Sequence, residues 1–344
     1  MTTKIFTISP DDTKHPALSE AAQILHQGGL VAFPTETVYG LGGNATDAQA
    51  AQKIYRAKGR PSDNPLIVHV AEPEDAEAYA VTNELYYKLA REFMPGPLTV
   101  ILPKRPSIPD TVTGGLDSVA IRCPSHPLAR ALIRQAGVAI AAPSANLSGS
   151  PSPSCGTHVI RDLNGRIDAI IDGGDCEIGL ESTIIKLDGG CATLLRPGAI
   201  TADALRCVCE SVEIAPAVLE GLSENERPLS PGMKYKHYAP KIPLILLDGD
   251  EDCVRSFLYR AQNAERCVIL CYREDLEHLR NERLIDIGAH EDLAEQARTL
   301  FAALRHADEL GGDVIYAHLP PKDGIGLALY NRLIRAAAHT VLHV

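Results

Sequence analysis

No stretch of the chain approaches the roughly 20 consecutive apolar residues that a membrane-spanning helix needs. The opening MTTKIFTISPDDTKHP also lacks the long apolar core of a secretory signal. Nine cysteines, an odd number, are scattered from Cys123 to Cys271 without a C-x-x-C pair. Cys207 and Cys209 stand two apart and Cys267 and Cys271 four apart, with no matching histidine spacing for a zinc site. Buried reduced thiols in a reducing compartment, the cytosol, are therefore expected. Aromatics make up only 5% of the chain, so stacking platforms for single-stranded nucleic acid are scarce. Positive charge is not in excess either. The formal net charge is −11, which excludes a surface that embraces duplex nucleic acid broadly. An anionic ligand must be met by a local concentration of cations.

Several standard catalytic motifs are missing as well. No G-x-x-x-x-G-K-S/T phosphate loop occurs, and Gly324-Ile325-Gly326 lacks the third glycine of a dinucleotide fingerprint. There is no H-E-x-x-H and no G-x-S-x-G. Asp248 and Asp250 begin like a calcium loop, but Cys253 and Tyr259 stand where glycine and glutamate belong. No side chain stands out as a covalent nucleophile. That leaves chemistry done by positioning and charge stabilisation, as in phosphoryl or nucleotidyl transfer.

What is present is an ordinary soluble composition, 45% apolar and 22% charged, in 344 residues, enough for about two domains. The most concentrated signal is Lys58 to Val70, KGRPSDNPLIVHV. Before it, Ala48, Ala51, Ile54 and Tyr55 fall at helical spacing, and Gly59, Pro61 and Pro65 stop the helix. Leu66 to Val70 reads as a buried strand, with His69 unusual among its apolar neighbours. Lys53, Arg56, Lys58 and Arg60 crowd this region without an acid between them. Read as an extended segment, Lys58 and Arg60 point the same way toward one anion and are exposed when no ligand is bound.

Further polar loops follow apolar strands. Pro34 to Gly43, PTETVYGLGG, is read as a loop whose glycines permit close approach to a ligand. Val138 to Ala142 leads into PSANLSGSPSPS, where Ser144 and Asn146 are again polar and two apart. Gly179 to Thr183, GLEST, places hydroxyls at another strand edge. The first domain is expected over residues 1–209 and a linker over 210–241, which carries Lys234, Tyr235, Lys236, His237 and Tyr238 together. Residues 242–344 then alternate strands and helices, the pattern of a mainly parallel sheet covered on both faces. Brought together, the polar loops would form a concave groove for an anionic ligand; lysine and arginine together suit a polyphosphate.

KGRPSDNPL beside PTETVYGLG, followed by PSANLSG, GLEST and SPGMKYKHYAP, resembles the long, two-domain form of the threonylcarbamoyl-AMP synthase family. The likeness runs from about Ala17 to Val344, and five motifs in the family's order make it specific. It implies an N-terminal YrdC-like domain, a twisted open mixed sheet with helices and a concave groove. A smaller C-terminal Rossmann-like parallel-sheet α/β domain would follow. It implies synthesis of threonylcarbamoyl-AMP and pyrophosphate from L-threonine, bicarbonate or CO2, and ATP. The product would feed threonylcarbamoyl-adenosine modification of tRNA beside the anticodon, through a downstream transferase machinery, with tRNA itself bound weakly or indirectly.

By similarity, Lys58, Arg60, Ser144 and Asn146 match the family's lysine-x-arginine and serine-x-asparagine signature, with Lys58 and Arg60 in the catalytic role. Thr37, His69, Arg122 and Ser182 match threonine contacts, Arg122 being suited to the carboxylate. Lys58, Arg60, Asn64, Ser118, Ser144, Asn146, Ser154, Arg196 and Tyr238 match nucleotide contacts. Lys236 stands where the family usually has arginine. Magnesium is expected as a bridge between phosphates, because no carboxylate cluster announces a protein metal cage. Ser230 to Lys241 is expected to fold over the groove as a lid, with Tyr238 meeting the nucleotide. The alternatives are an RNA-binding module using the same groove, and carbamoyl transfer from carbamoyl phosphate as in multidomain relatives.

Overall fold

The computed structural model describes residues 2–219 and 238–344. Lys234, Tyr235, Lys236 and His237, and with them most of the expected lid, lie outside the described residues. The chain divides into two compact units. The first is built on the chain up to Leu219 and the second on the chain from Tyr238, with Gly149–Pro151 and Ile178–Leu180 grouped with the second.

The first unit is one mixed sheet. In chain order its strands are β1 (Lys4–Thr7), β2 (Val31–Phe33), β3 (Gly40–Asn44), β4 (Ile67–His69), β5 (Leu98–Pro103), β6 (Ser118–Arg122), β7 (Ile140–Ala142), β8 (Ala169–Asp172), β9 (Thr183–Asp188), β10 (Cys191–Arg196) and β11 (Ser211–Ile214). Their order across the sheet is β1-β8-β2-β3-β7-β4-β6-β5-β9-β10-β11. The helices are α1 (Pro16–His26), α2 (Ala48–Lys58), α3 (Glu84–Phe93), α4 (Asp110–Thr113), α5 (Pro127–Ala136), α6 (Gly156–Leu163) and α7 (Ala202–Arg206). α1 and α5 share a core with β2 and β8, where Leu18, Leu25, Leu128 and Leu132 meet Val31, Phe33 and Ile171. Each fully buried leucine stabilises by roughly 1.5–3 kcal/mol.

α2 forms as its sequence dictates. Asp47 caps it by accepting from Gln49 N at 2.8 Å, Ala50, Ala51, Ile54 and Tyr55 form its buried face, and Gly59 ends it at φ 64°. Only glycine adopts that left-handed turn without strain. Lys58 is thus the last helical residue, not part of an extended segment.

Two further expectations change. The glycines of PTETVYGLGG lie in β3, not in a loop: a Cβ on Gly42 would sit 2.6 Å from Ile140 Cγ2 and 2.9 Å from Phe33 Cε1. They serve strand packing, and only Pro34 to Tyr39 is loop. The expected linker also begins inside the first unit, because β11 pairs parallel with β10 beyond residue 209.

The second unit has β12 (Leu244–Asp248), β13 (Cys267–Cys271), β14 (Leu284–Asp286), β15 (Val314–His318) and β16 (Val341–His343), with α8 (Glu251–Ala264), α9 (Leu293–Leu310) and α10 (Gly326–Ala336). Its sheet order is β14-β13-β15-β12-β16 and every pairing is parallel. β13 and β15 are buried throughout, as strands covered on both faces must be. No described helix is long and apolar enough to cross a membrane. All nine cysteines are free thiols.

Candidate active site

The site residues of the first unit fall at the two ends of β4. This strand is three residues long, so about 7–10 Å separates its ends. At the Ile67 end lie Asn64, just before β4, the start of β6 at Ser118, and the end of β7, which leads to Ser144 and Asn146. At the His69 end lie Arg122 on β6, Thr99 on β5, Ser182 just before β9, and Arg196 at the end of β10.

The Ile67 end is organised by Lys58. Its side chain is only 3% exposed, contrary to the expectation of an exposed cation. Nζ donates to Ser144 O at 2.5 Å, Asn146 O at 2.5 Å and Asn146 Oδ1 at 3.2 Å. Its carbonyl accepts from Ser148 N at 2.9 Å. Three acceptors for three protons offset much of the cost of burying an ammonium. Lys58 therefore fixes the Ser144–Ser148 turn while placing a positive charge beneath it. Ser144 Oγ completes the turn by donating to Asn146 Oδ1 at 2.5 Å.

Arg60 is half-buried. Its Nη2 donates to Asn64 O at 3.3 Å and Pro65 O at 3.1 Å, wrapping the turn into β4. Tyr55 OH reaches the same turn, 3.0 Å from Asn64 O. Asn64 itself is 1% exposed, and neither polar atom of its amide has a hydrogen-bond partner among the described residues. A buried amide left so costs about 1–3 kcal/mol per group, which a bound ligand or water offsets. Ser118 is half-buried opposite Pro103. Ser154 is buried, its carbonyl accepting from Cys176 N at 2.8 Å.

At the other end, Thr99, Arg122 and His69 stand directly opposite one another on β5, β6 and β4, so their side chains share one face. His69 is buried, with Nδ1 3.1 Å from Ile67 O. Burial first, and the Arg122 guanidinium second, push its pKa down to about 3, so it is uncharged near neutral pH. Ser182 Oγ lies 2.7 Å from Thr99 Oγ1, and Arg196 binds Ser182 twice, Nε to its carbonyl at 3.0 Å and Nη2 to its hydroxyl at 3.1 Å. Arg196, expected among the nucleotide contacts, is thus found with the serine expected to meet threonine.

The Pro34–Tyr39 loop joins both ends. Tyr39 N donates to Pro153 O and Ala145 N to Tyr39 O, while Gly40 bridges to Ser144. Thr37 is fully buried, its hydroxyl 2.8 Å from Thr35 Oγ1. Between them in the chain stands a residue the motif reading passed over, Glu36. Its carboxylate meets Arg122 Nη2 at 2.6 Å in a buried ion pair. The available signal was an acid inside a threonine-rich motif, opposite an arginine that closes an apolar strand. Tyr238 is buried at φ 63°; its described ring contacts are Phe301 at 5.2 Å and Arg332 at 6.0 Å.

Comparison with known proteins agrees with this architecture. A family model described as Telomere recombination matches residues 23–198, and one described as Threonylcarbamoyl-AMP synthase, C-terminal domain, matches residues 200–338. The Bacillus subtilis threonylcarbamoyl-AMP synthase is 45% identical over 334 residues, covering 96% of this chain and 95% of that protein. The Pyrococcus abyssi threonylcarbamoyl-AMP synthase is 43% identical, covering 94% and 95%. The crystal structure of Pyrococcus abyssi Sua5 complexed with L-threonine superposes with a TM-score of 0.92 at 40% identity, over 99% of this chain and 100% of that one. Fold and relatives together define a two-domain α/β enzyme of the nucleotidyltransferase type. The chain belongs to the threonylcarbamoyl-AMP synthase family.

Proposed function

We propose that this chain makes threonylcarbamoyl-AMP and pyrophosphate from L-threonine, bicarbonate or CO2, and ATP. The observation that carries this reading is the partition of polar groups between the two ends of β4. Arg122, His69, Ser182 and Arg196 suit a small polar acid at one end. Lys58, Arg60, Asn64, Ser144 and Asn146 suit phosphate and nucleotide at the other. Thr37 and the Pro34–Tyr39 loop lie along the join, with Ser118 and Ser154 as further nucleotide contacts.

In this reading threonine, carboxylated on nitrogen, presents a carbamate oxygen to the α-phosphorus of ATP. The new P–O bond forms as the bond to pyrophosphate breaks. Lys58 and Arg60 stabilise charge growing on the phosphates, and preorganised groups of this kind are typically worth about 10²–10³ in rate. Among the described residues no three His, Cys, Asp or Glu side chains come together as a metal cage. Magnesium, in this reading, would come with ATP and be held mainly by its phosphates. The adenylate is consumed by a transferase that modifies tRNA, and the setting is the cytoplasm. Pyrophosphate release tests the reading: it should require threonine and bicarbonate together, and equal release without an amino acid would refute it.

A further inference from the structure

The Glu36–Arg122 pair lies among the groups assigned above to threonine, yet it is incomplete on both sides. Glu36 is 3% exposed and Arg122 4%. One carboxylate oxygen, Oε1, holds Nη2 at 2.6 Å. The other, Oε2, is buried with no hydrogen-bond partner among the described residues, and so is Nε of Arg122. A buried ion pair is retained at a large desolvation penalty, and the penalty grows when lone pairs and protons remain unmatched. Here the unmatched atoms are one anionic acceptor and one cationic donor. His69, beside Arg122, adds no charge near neutral pH. Arg196, the other cation at this end, is turned to the carbonyl and hydroxyl of Ser182, so the two groups with unmatched atoms, Glu36 and Arg122, carry opposite charges. A plain anion would leave Glu36 Oε2 unmet and face its negative charge. A plain cation would do the same to Arg122. The complement is a small molecule bearing both charges a few bonds apart.

We propose that Glu36 receives the ammonium group of a free α-amino acid whose carboxylate lies against Arg122, so that Glu36 makes the site selective for zwitterions over simple hydroxy acids. This rests on the reading of L-threonine as substrate and adds a residue and a selection rule to it. Glu36 has a second task, to hold the Arg122 guanidinium in place. The test must therefore separate ammonium recognition from positioning.

The test measures binding to the full chain of two probes, L-threonine and 3-hydroxybutanoate, which is threonine without its amino group. Wild type, Glu36→Gln and Glu36→Asp are compared by calorimetry. Glutamine keeps the shape and an oxygen for Arg122 but removes the charge. We expect Glu36→Gln to weaken threonine by roughly 10- to 100-fold, the range for a hydrogen bond to a charged group, and to leave 3-hydroxybutanoate within about twofold. Should Glu36→Gln not fold, Glu36→Asp answers the same question. It keeps the charge one methylene short, and is expected to weaken threonine several-fold and the analogue not at all. Equal weakening of both probes, or of neither, would overturn the proposal and leave Glu36 a support for Arg122 alone. A wild-type chain with no affinity for threonine would overturn the substrate reading as well, so the two failures are distinguishable.

Discussion

His69 and Arg122 stand directly opposite each other on adjacent parallel strands, and this pairing helps hold His69 in its neutral form. Burial, then Arg122, lowers its pKa from 6.5 to about 3. The unfolded chain therefore binds a proton between about pH 6.5 and 3 that the folded chain refuses. Stability falls as pH drops through that window, by roughly 1.4 kcal/mol per unit from this group, and is unaffected by it above the window. Urea unfolding midpoints measured from pH 7 to pH 4 should show that slope. In His69→Gln the slope should be shallower by this amount; an unchanged slope would mean that His69 is protonated in the folded state.

Lys58 carries both structure and charge. Replacing it by methionine removes the donor for Ser144 O and Asn146 O while keeping the length of the side chain. Lys58→Met should lose about 1–3 kcal/mol of stability, from acceptors left buried and unmet. It should also lose about 10²–10³ in the rate of pyrophosphate release. Chemical unfolding and turnover on the same preparation separate the two effects, and a variant with wild-type stability would show that the contacts to the Ser144–Ser148 turn contribute little.

Arg60 should behave differently. It is half-buried and donates to two carbonyls of a turn that Tyr55 also holds. Arg60→Ala is expected to cost under about 1.5 kcal/mol, the net value of such bonds, yet lose activity about as far as the Lys58 variant does. A thermal melt beside a turnover assay checks this; wild-type turnover would confine Arg60 to a structural role.

Arg196 grips both the carbonyl and the hydroxyl oxygen of Ser182, a geometry that a planar guanidinium provides and a single ammonium does not. Arg196→Lys should raise the KM for threonine about tenfold, the loss of one good hydrogen bond, with a smaller change for ATP. The reverse pattern would return Arg196 to the nucleotide contacts.

Much of this was readable locally. Gly59 announces the end of α2, the β-branched run announces β4, and the strand-helix alternation announces the parallel sheet of the second unit. The residues at strand ends were visible for the same reason: each polar residue interrupts an apolar run. What stayed hidden depends on distance along the chain. The burial of Lys58 follows from acceptors 86 and 88 residues away. The Glu36–Arg122 pair spans 86 residues, and neither residue carries a spacing that points to the other. β11 was missed because its residues are mostly exposed at the sheet edge, where little hydrophobic pattern is required. The glycines of β3 were misread because close packing against Phe33 and Ile140 and close approach to a ligand ask for the same residue.

The most direct measurement of the central claim is the identity of the nucleotide product formed from ATP, L-threonine and carbon-13 bicarbonate. Mass spectrometry of the reaction should find an adenylate that contains threonine and one labelled carbon, formed in step with pyrophosphate. AMP or ADP as the sole nucleotide product, or an adenylate of threonine without the label, would contradict the account.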